Sequence, residues 1–334
     1  MRNKMRNSWL RALSLTALAL LLALAVAACG GQKNEGASGA TPAATDSSPE
    51  SSAAPSAESG ATVYPLTVKD DTGAELTFER APEKVVTLVP SETEIIFAIG
   101  AGDQVAGVDE NSNYPAEAAD KPKVGDMNTN IEAVAGLNPD LVLASASMNA
   151  EAVEKLRSLG IAVYASDPTT YDAVVEKIKV VGEIMNRQAQ AAEVAKHMVQ
   201  VKREVTEKVK SAEPVPTYLE FSEGWTVGKG EFLDELLTLA GGANVAGDQT
   251  GWFEVDAEAV VKANPAVIVY PDIAGVDPNP IAAAIASRPG WDVIDAVKNN
   301  RVIEVSQDPL VRVGPRLADG LLELAKAIHP DLFQ

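Results

Sequence analysis

The sequence predicts an α/β protein of two lobes, each built on a mostly parallel sheet, joined by one long connecting helix. Three observations predict it. Short apolar runs alternate with helical patterns over residues 63–168, and do so again over residues 214–334. Between them, residues 171–212 contain no proline and repeat apolar positions at helical spacing, as at Val174, Ile178 and Val181. Residues 131–144 (IEAVAGLNPDLVLA) also align without a gap on residues 257–270 (AEAVVKANPAVIVY), at an offset of 126. Each copy reads as a short helix, an Asn-Pro break and a buried strand, so the lobes are expected to be pseudo-copies.

The elements follow in chain order. Arg2, Lys4, Arg6 and Arg11 precede an apolar run at 12–28 that ends in small residues before Cys29. That is the pattern of a secretory signal segment over 1–28. Cys29 is the only thiol, and its setting (Val26-Ala27-Ala28-Cys29-Gly30) resembles a bacterial lipobox, which implies a lipidated first residue of the mature chain. Residues 30–62 hold no Val, Ile, Leu, Met, aromatic or Cys. Such a segment buries too little apolar surface to offset its ordering entropy, so 29–62 is expected to be a disordered tether.

The first lobe is expected over 63–168. It opens with a hairpin at 64–79 that turns at Asp71-Thr72-Gly73. The run KVVTLV at 84–89 is apolar on both faces, as in a covered parallel sheet. Ser91 is the predicted N-cap of a helix to Ile99, stopped by Gly100. Strands follow at 105–108, 141–145 and 162–166, with a helix at 150–159 between the last two. The connector is assigned to 169–213. As one helix it would span about 60 Å at ~1.5 Å per residue, unless Gly182 or Asn186 breaks it. Glu213-Pro214-Val215-Pro216 ends it. The second lobe, 214–334, repeats the alternation: strands at 218–221, 266–270 and 302–305, with helices at 231–239, 281–285 and 316–328.

Composition narrows the chemistry. Lys plus Arg number 28 and Asp plus Glu 47, a net charge of −19, which repels phosphate backbones and excludes nucleic acid as a partner. One Cys and two His exclude multi-Cys and His-rich metal sites. No GxSxG, P-loop or HExxH motif is present, and Leu233 stands where a dinucleotide fingerprint begun by Gly228-Lys229-Gly230 needs its third glycine. His197 and His329 read as surface or packing residues. No catalysis and no resident cofactor are expected.

Aromatic placement points to a binding cleft instead. Trp225, Trp252 and Trp291 all fall in the second lobe, the first two in loops beside strands. Ligands of open α/β sheets bind outside the strand carboxyl ends, where tryptophans stack on large flat molecules. Tyr114 is the first-lobe counterpart. In VRVGPR, Arg312 and Arg316 could meet an acidic group, and Arg316 reads more simply as a surface residue opening the last helix. Asn130 and Asp256 are placed as N-caps, which puts Glu132 and Glu258 in helix first turns, favoured by the dipole. Repeated on both lobes, the pair would form matching acidic knobs for basic sockets on a dimeric partner.

Taken together, KVVTLVPSETEIIFAIG, GDQVAGVDENSNYP, VGDMNTNIEAVAGLNPDLVLA, TGWFEVDAEAVVKANPAVIVY and GPRLADGLLELA resemble the substrate-binding proteins of metal-chelate ABC importers. The resemblance covers residues 64–331 and is strongest to the cobalamin-binding branch. It implies a cargo held between the lobes with little hinge closure, and a permease dimer with a cytoplasmic ATPase as partner. It implies that Glu132 and Glu258 engage permease arginines, that Trp225 and Trp252 line the pocket, and that Met127 lies beside it. Where the cobalamin binder has further aromatics, this chain has Asn111 and Ser145. The expected role is an extracytoplasmic, lipid-anchored receptor for a corrinoid, or secondly for a ferric siderophore or haem. A lipid-anchored cleft hydrolase, or a sensory ligand-binding module, is the alternative from another class.

Overall fold

The structure, a computed structural model, describes residues 60–334. The signal segment, Cys29 and all but the last residues of the expected tether lie outside the described residues. Thr62 is already held: its amide donates to Asn186 Oδ1 (2.8 Å) and its hydroxyl to the Glu183 carbonyl (2.7 Å). Thr62, expected in the tether, is therefore bonded to the folded part.

Strands β1 (Leu66–Lys69) and β2 (Glu75–Phe78) form the predicted antiparallel hairpin. The first lobe then runs β3 (Val85–Thr87), α1 (Pro90–Ala98), β4 (Val105–Val108), α2 (Ile131–Gly136), β5 (Leu141–Ala144), α3 (Ala150–Ser158) and β6 (Val163–Ala165). All pairings are parallel, in the order β4–β3–β5–β6, and β3, β5 and β6 are buried along their whole length, as their apolar runs require. One detail differs from expectation. Helix α1 starts at Pro90, with Val89 as N-cap and no side-chain cap, so Ser91 sits inside the first turn. Proline wins position N1 because its missing N–H would have no partner there.

The connector is two helices rather than one: α4 (Tyr171–Ile184) and α5 (Gln188–Val209), folded back as an antiparallel pair. The start of α4 meets the far part of α5, where Tyr171 Oη donates to the Met198 carbonyl (2.9 Å) and Lys202 Nζ pairs with Asp172 (2.7 Å). Asn186 adopts φ = 54°, with its amide on the Glu183 carbonyl (3.2 Å) and that of Arg187 on the Gly182 carbonyl (2.7 Å), a Schellman stop. Gly182 permits the fold-back, since a Cβ there would lie 2.3 Å from the Ala191 Cβ. The expected 60 Å rod thus becomes a hairpin whose longer arm is about 33 Å.

The second lobe runs β7 (Val215–Leu219), β8 (Trp225–Val227), α6 (Phe232–Leu239), β9 (Gly242–Asn244), β10 (Trp252–Glu254), α7 (Ala257–Ala263), β11 (Val267–Pro271), α8 (Pro280–Ser287), α9 (Asp295–Lys298), β12 (Val302–Val305), α10 (Gln307–Val311) and α11 (Leu317–Ile328). Its parallel sheet has the order β12–β11–β7–β9. Read from the other edge, that order matches the first sheet strand for strand, with β5 and β11 in equivalent places. The repeat detected at 131–144 and 257–270 is therefore a repeat of topology. Both Asn-Pro breaks share a left-handed asparagine, Asn138 (φ 49°) and Asn264 (φ 46°). The second lobe departs by a two-stranded antiparallel ribbon of β8 and β10, inserted into the β7–α6 and β9–α7 connections.

A single cluster of buried apolar side chains runs from the first sheet (Val85, Leu141, Leu143) through Ile178 and Met198 to the second (Leu219, Val267, Val269) and α11 (Leu321, Leu324). The lobes share a core. Trp291 belongs to a smaller cluster under α8, edge-on to Tyr218 at 5.6 Å, and is buried.

Candidate functional site

In each lobe the β→α connections gather at the carboxyl edge of the sheet, where ligands of open parallel sheets bind. On the first lobe the segment after β4 carries Asn111, Tyr114 and Met127, all exposed. A buried relay holds it. Thr87 and Thr93 hydroxyls share a bond (2.6 Å), Thr93 and Ser112 another (2.7 Å), and Ser112 donates to the Asp109 carboxylate, whose Oδ2 accepts the Asn111 amide (2.9 Å). Burial pushes the Asp109 carboxyl above its ordinary range, outweighing these donors and the nearby Lys123 and Arg312.

On the second lobe the ribbon presents both tryptophans. Trp225 lies opposite Glu254 and Trp252 opposite Val227, so the two rings share one face as diagonal neighbours. They are 43% and 47% exposed, an unusual state for the largest apolar side chain. The ribbon is fastened from below. Buried Glu220 accepts the Gly224 amide (2.9 Å) and both arms of Arg288 (2.8 Å each). At its other end Gly228 crosses the Gln249 carbonyl so closely that a Cβ would lie 2.2 Å from that oxygen.

The carboxyl edges meet through arginines that follow β12. Arg312 binds Glu94 Oε1 (3.0 Å), Asp308 (2.9 Å) and Asn113 Oδ1 (2.8 Å), the first and last lying on the first lobe. Arg316 forks onto Glu94, Nε to Oε2 at 2.9 Å and Nη2 to Oε1 at 2.6 Å, and its guanidinium stacks over the Tyr114 ring at 4.2 Å. The side chains of Arg312 and Arg316 are only 11% and 18% exposed. Arg312, expected to touch cargo, is thus committed to the junction, and Arg316 is a junction residue rather than a surface one. Beneath them, Glu92 pairs with Lys177 in full burial, which pushes its carboxyl up despite the ammonium beside it.

The other expected residues sort as follows. Ser145 is buried, its hydroxyl donating to Asp167 (2.6 Å) and accepting the Met148 amide (3.0 Å), so it fixes the turn after β5 instead of facing a ligand. Glu132 and Glu258 are exposed in the first turns of α2 and α7, whose N-caps are Asn130 and Asp256 as read from the sequence. His197 is exposed on α5, and His329 Nε2 bonds the Gly241 carbonyl (3.0 Å). Glu94 was missed. Its signal was the polar run Ser91-Glu92-Thr93-Glu94 immediately after a buried strand, too acidic for a helix turn that is buried throughout. A cavity of about 830 Å³ lies beside Tyr114 among α1, the segment after β4, α5 and the start of α11, lined also by Phe97, Pro115, Val194, His197 and Arg316; neither ribbon tryptophan lines it.

Comparison with known proteins fits this geometry. A family model described as periplasmic binding protein matches residues 85–309, from the first strand of one sheet to just past the last strand of the other. The chain belongs to the periplasmic binding protein family. The family consists of solute-binding proteins rather than enzymes, which leaves the cleft-hydrolase alternative without support. An uncharacterised ABC transporter substrate-binding lipoprotein of Bacillus subtilis is 40% identical over 282 residues, covering 81% of this chain and 88% of its own. A cobalamin-binding protein of Halobacterium salinarum is 30% identical over 276 residues, covering 80% and 74%. Among solved structures, the periplasmic vitamin B12 binding protein of Vibrio cholerae superposes with a TM-score of 0.66 at 27% identity, covering 76% of this chain and 99% of its own. Among the described residues no helix is long and apolar enough to cross a membrane.

Proposed function

We propose that this protein is the extracytoplasmic, lipid-anchored receptor of an ABC importer, capturing a metal chelate between its lobes and delivering it to a permease dimer driven by a cytoplasmic ATPase. The observation that carries the reading is the ribbon. The two lobes repeat one topology, and where the second departs from it the addition places two half-exposed tryptophans on one face at the carboxyl edge. A large planar macrocycle offers the matching surface. The cargo brings its metal already coordinated, so the cleft supplies stacking and polar contacts and no metal ligand. Cys29 is the proposed lipidated residue, and Glu132 and Glu258 the proposed contacts to the permease.

A corrinoid is the first choice of cargo, supported by the names of the two B12-type relatives. Ferric siderophore or haem is the second, favoured because Asn111 and Ser145 stand where the resemblance to the cobalamin-binding branch would put further aromatics. Tryptophan fluorescence decides between them. Cyanocobalamin, haem and ferric siderophores are titrated into protein truncated past Cys29. Saturable quenching by cyanocobalamin alone is expected, and no quenching by any of the three would sink the chelate class.

A further inference from the structure

We infer that Glu94 is a positioning residue: through Arg312 and Arg316 it ties the lobes together at the carboxyl edge and holds the Tyr114 ring in one orientation. The second half of this inference rests on reading Tyr114 as a cargo contact. Glu94 is 2% exposed and accepts three charged hydrogen bonds from two arginines of the other lobe. Asp308, at 2.9 Å from Arg312 and 3.6 Å from Arg316, brings the group of two acids and two bases to zero net charge. Among the described residues, Glu94 is the acid through which ion pairs cross from the first lobe to the segment after β12.

The shared apolar core joins the lobes from below, and this junction joins them at the cleft. Its two outputs both reach the 111–114 segment. Arg312 holds Asn113 Oδ1 at 2.8 Å and the Asn111 carbonyl at 3.4 Å, while Arg316 covers one face of Tyr114. Tyr114 remains 47% exposed, so a ring with one face fixed against a cation keeps the rest free for a ligand. Preorganising a contact in this way raises affinity by removing the ordering cost at the moment of binding. Burial works against the Arg316 charge, and Glu94 outweighs it and keeps the guanidinium firmly protonated.

The test compares the full-length wild-type chain, in detergent, with Glu94→Gln, Arg316→Lys and Asn113→Ala. Asn113 is exposed, so its variant removes one loop contact without disturbing the fold. Amide hydrogen exchange without any ligand is the first readout. Residues 111–117 and 308–316 are expected to exchange faster in Glu94→Gln, and the first of these segments in Asn113→Ala, with β3, β5, β7 and β11 as protected as before. Unchanged exchange at 111–117, or a uniform rise over the whole chain, overturns the inference. The second readout is affinity for cyanocobalamin and haem, expected about tenfold weaker in Glu94→Gln and intermediate in Arg316→Lys for whichever probe the wild type binds. Were the wild type to bind neither probe and no ferric siderophore, the cargo reading would fall while hydrogen exchange still decided the junction.

Discussion

At the scale of single residues, Asp70 shows most directly how a side chain sets stability. Its buried carboxylate accepts from the Thr72 and Ala74 amides (3.0 and 3.1 Å), the Thr72 hydroxyl (2.7 Å), the Ala165 amide (3.1 Å) and Arg157, so it stitches the β1–β2 hairpin to β6. Burial alone would raise its pKa, but these donors and the Arg157 charge hold it below the ordinary carboxylate range. A depressed folded-state pKa stabilises above the unfolded value near ~3.9, and that stabilisation is lost as pH falls through the folded value. Asp70→Asn is therefore expected to cost about 2–4 kcal/mol at pH 7 in urea unfolding, and to flatten the decline of stability below pH 4. A variant as stable as wild type at pH 7 would refute the assignment. At the cleft, Trp225→Ala and Trp252→Ala are each expected to weaken cargo binding by about 1–3 kcal/mol in calorimetry, with melting unchanged. Equal affinities would remove the ribbon from the site. At this scale the sequence was legible where chemistry is local, as with the Asn130 and Asp256 caps. It was opaque for Arg312, Arg316 and Ser145, whose partners lie on other elements: Glu94 is more than two hundred positions from either arginine.

At the scale of elements, the connector shows a local signal that composition alone could not rank. Periodicity runs unbroken across residues 171–212, and only the paired presence of Gly182 and Asn186 marks the reversal. Helix propensity favours Gly182→Ala by up to ~1 kcal/mol. A Cβ 2.3 Å from that of Ala191 reverses the sign, since α4 and α5 would have to separate. Gly182→Ala is expected to destabilise by about 1–3 kcal/mol in thermal melts, and an unchanged or higher melting temperature would show that the pair has slack. The missed strands β8, β9 and β10 are three residues each, too short to display a period of two. Their positions are fixed by close approaches such as that of Gly228 to Gln249, which a linear reading does not display.

At the scale of the whole molecule, the alternation of strands and helices and the repeat at an offset of 126 were enough to give both sheets except the edge strand β9, because buried parallel strands are written as continuous apolar runs. The shared core beneath the lobes was not visible, since it assembles from residues of every element. Closing the lobes would shear that core, so small-angle scattering is expected to return the same radius of gyration with and without cargo; a compaction on binding would contradict it. Glu132→Ala combined with Glu258→Ala is expected to abolish uptake by whole cells while leaving cargo affinity unchanged. Weakened binding in that double variant would place the pair in the pocket. If Glu132 and Glu258 dock as proposed on a transporter with two identical halves, the protein can land either way round with equal energy. Because β8 and β10 belong to one lobe alone, each landing brings the tryptophans above a different half of the channel. On the proposed function, handover would be lopsided, with either transporter subunit able to be the one that faces the cargo.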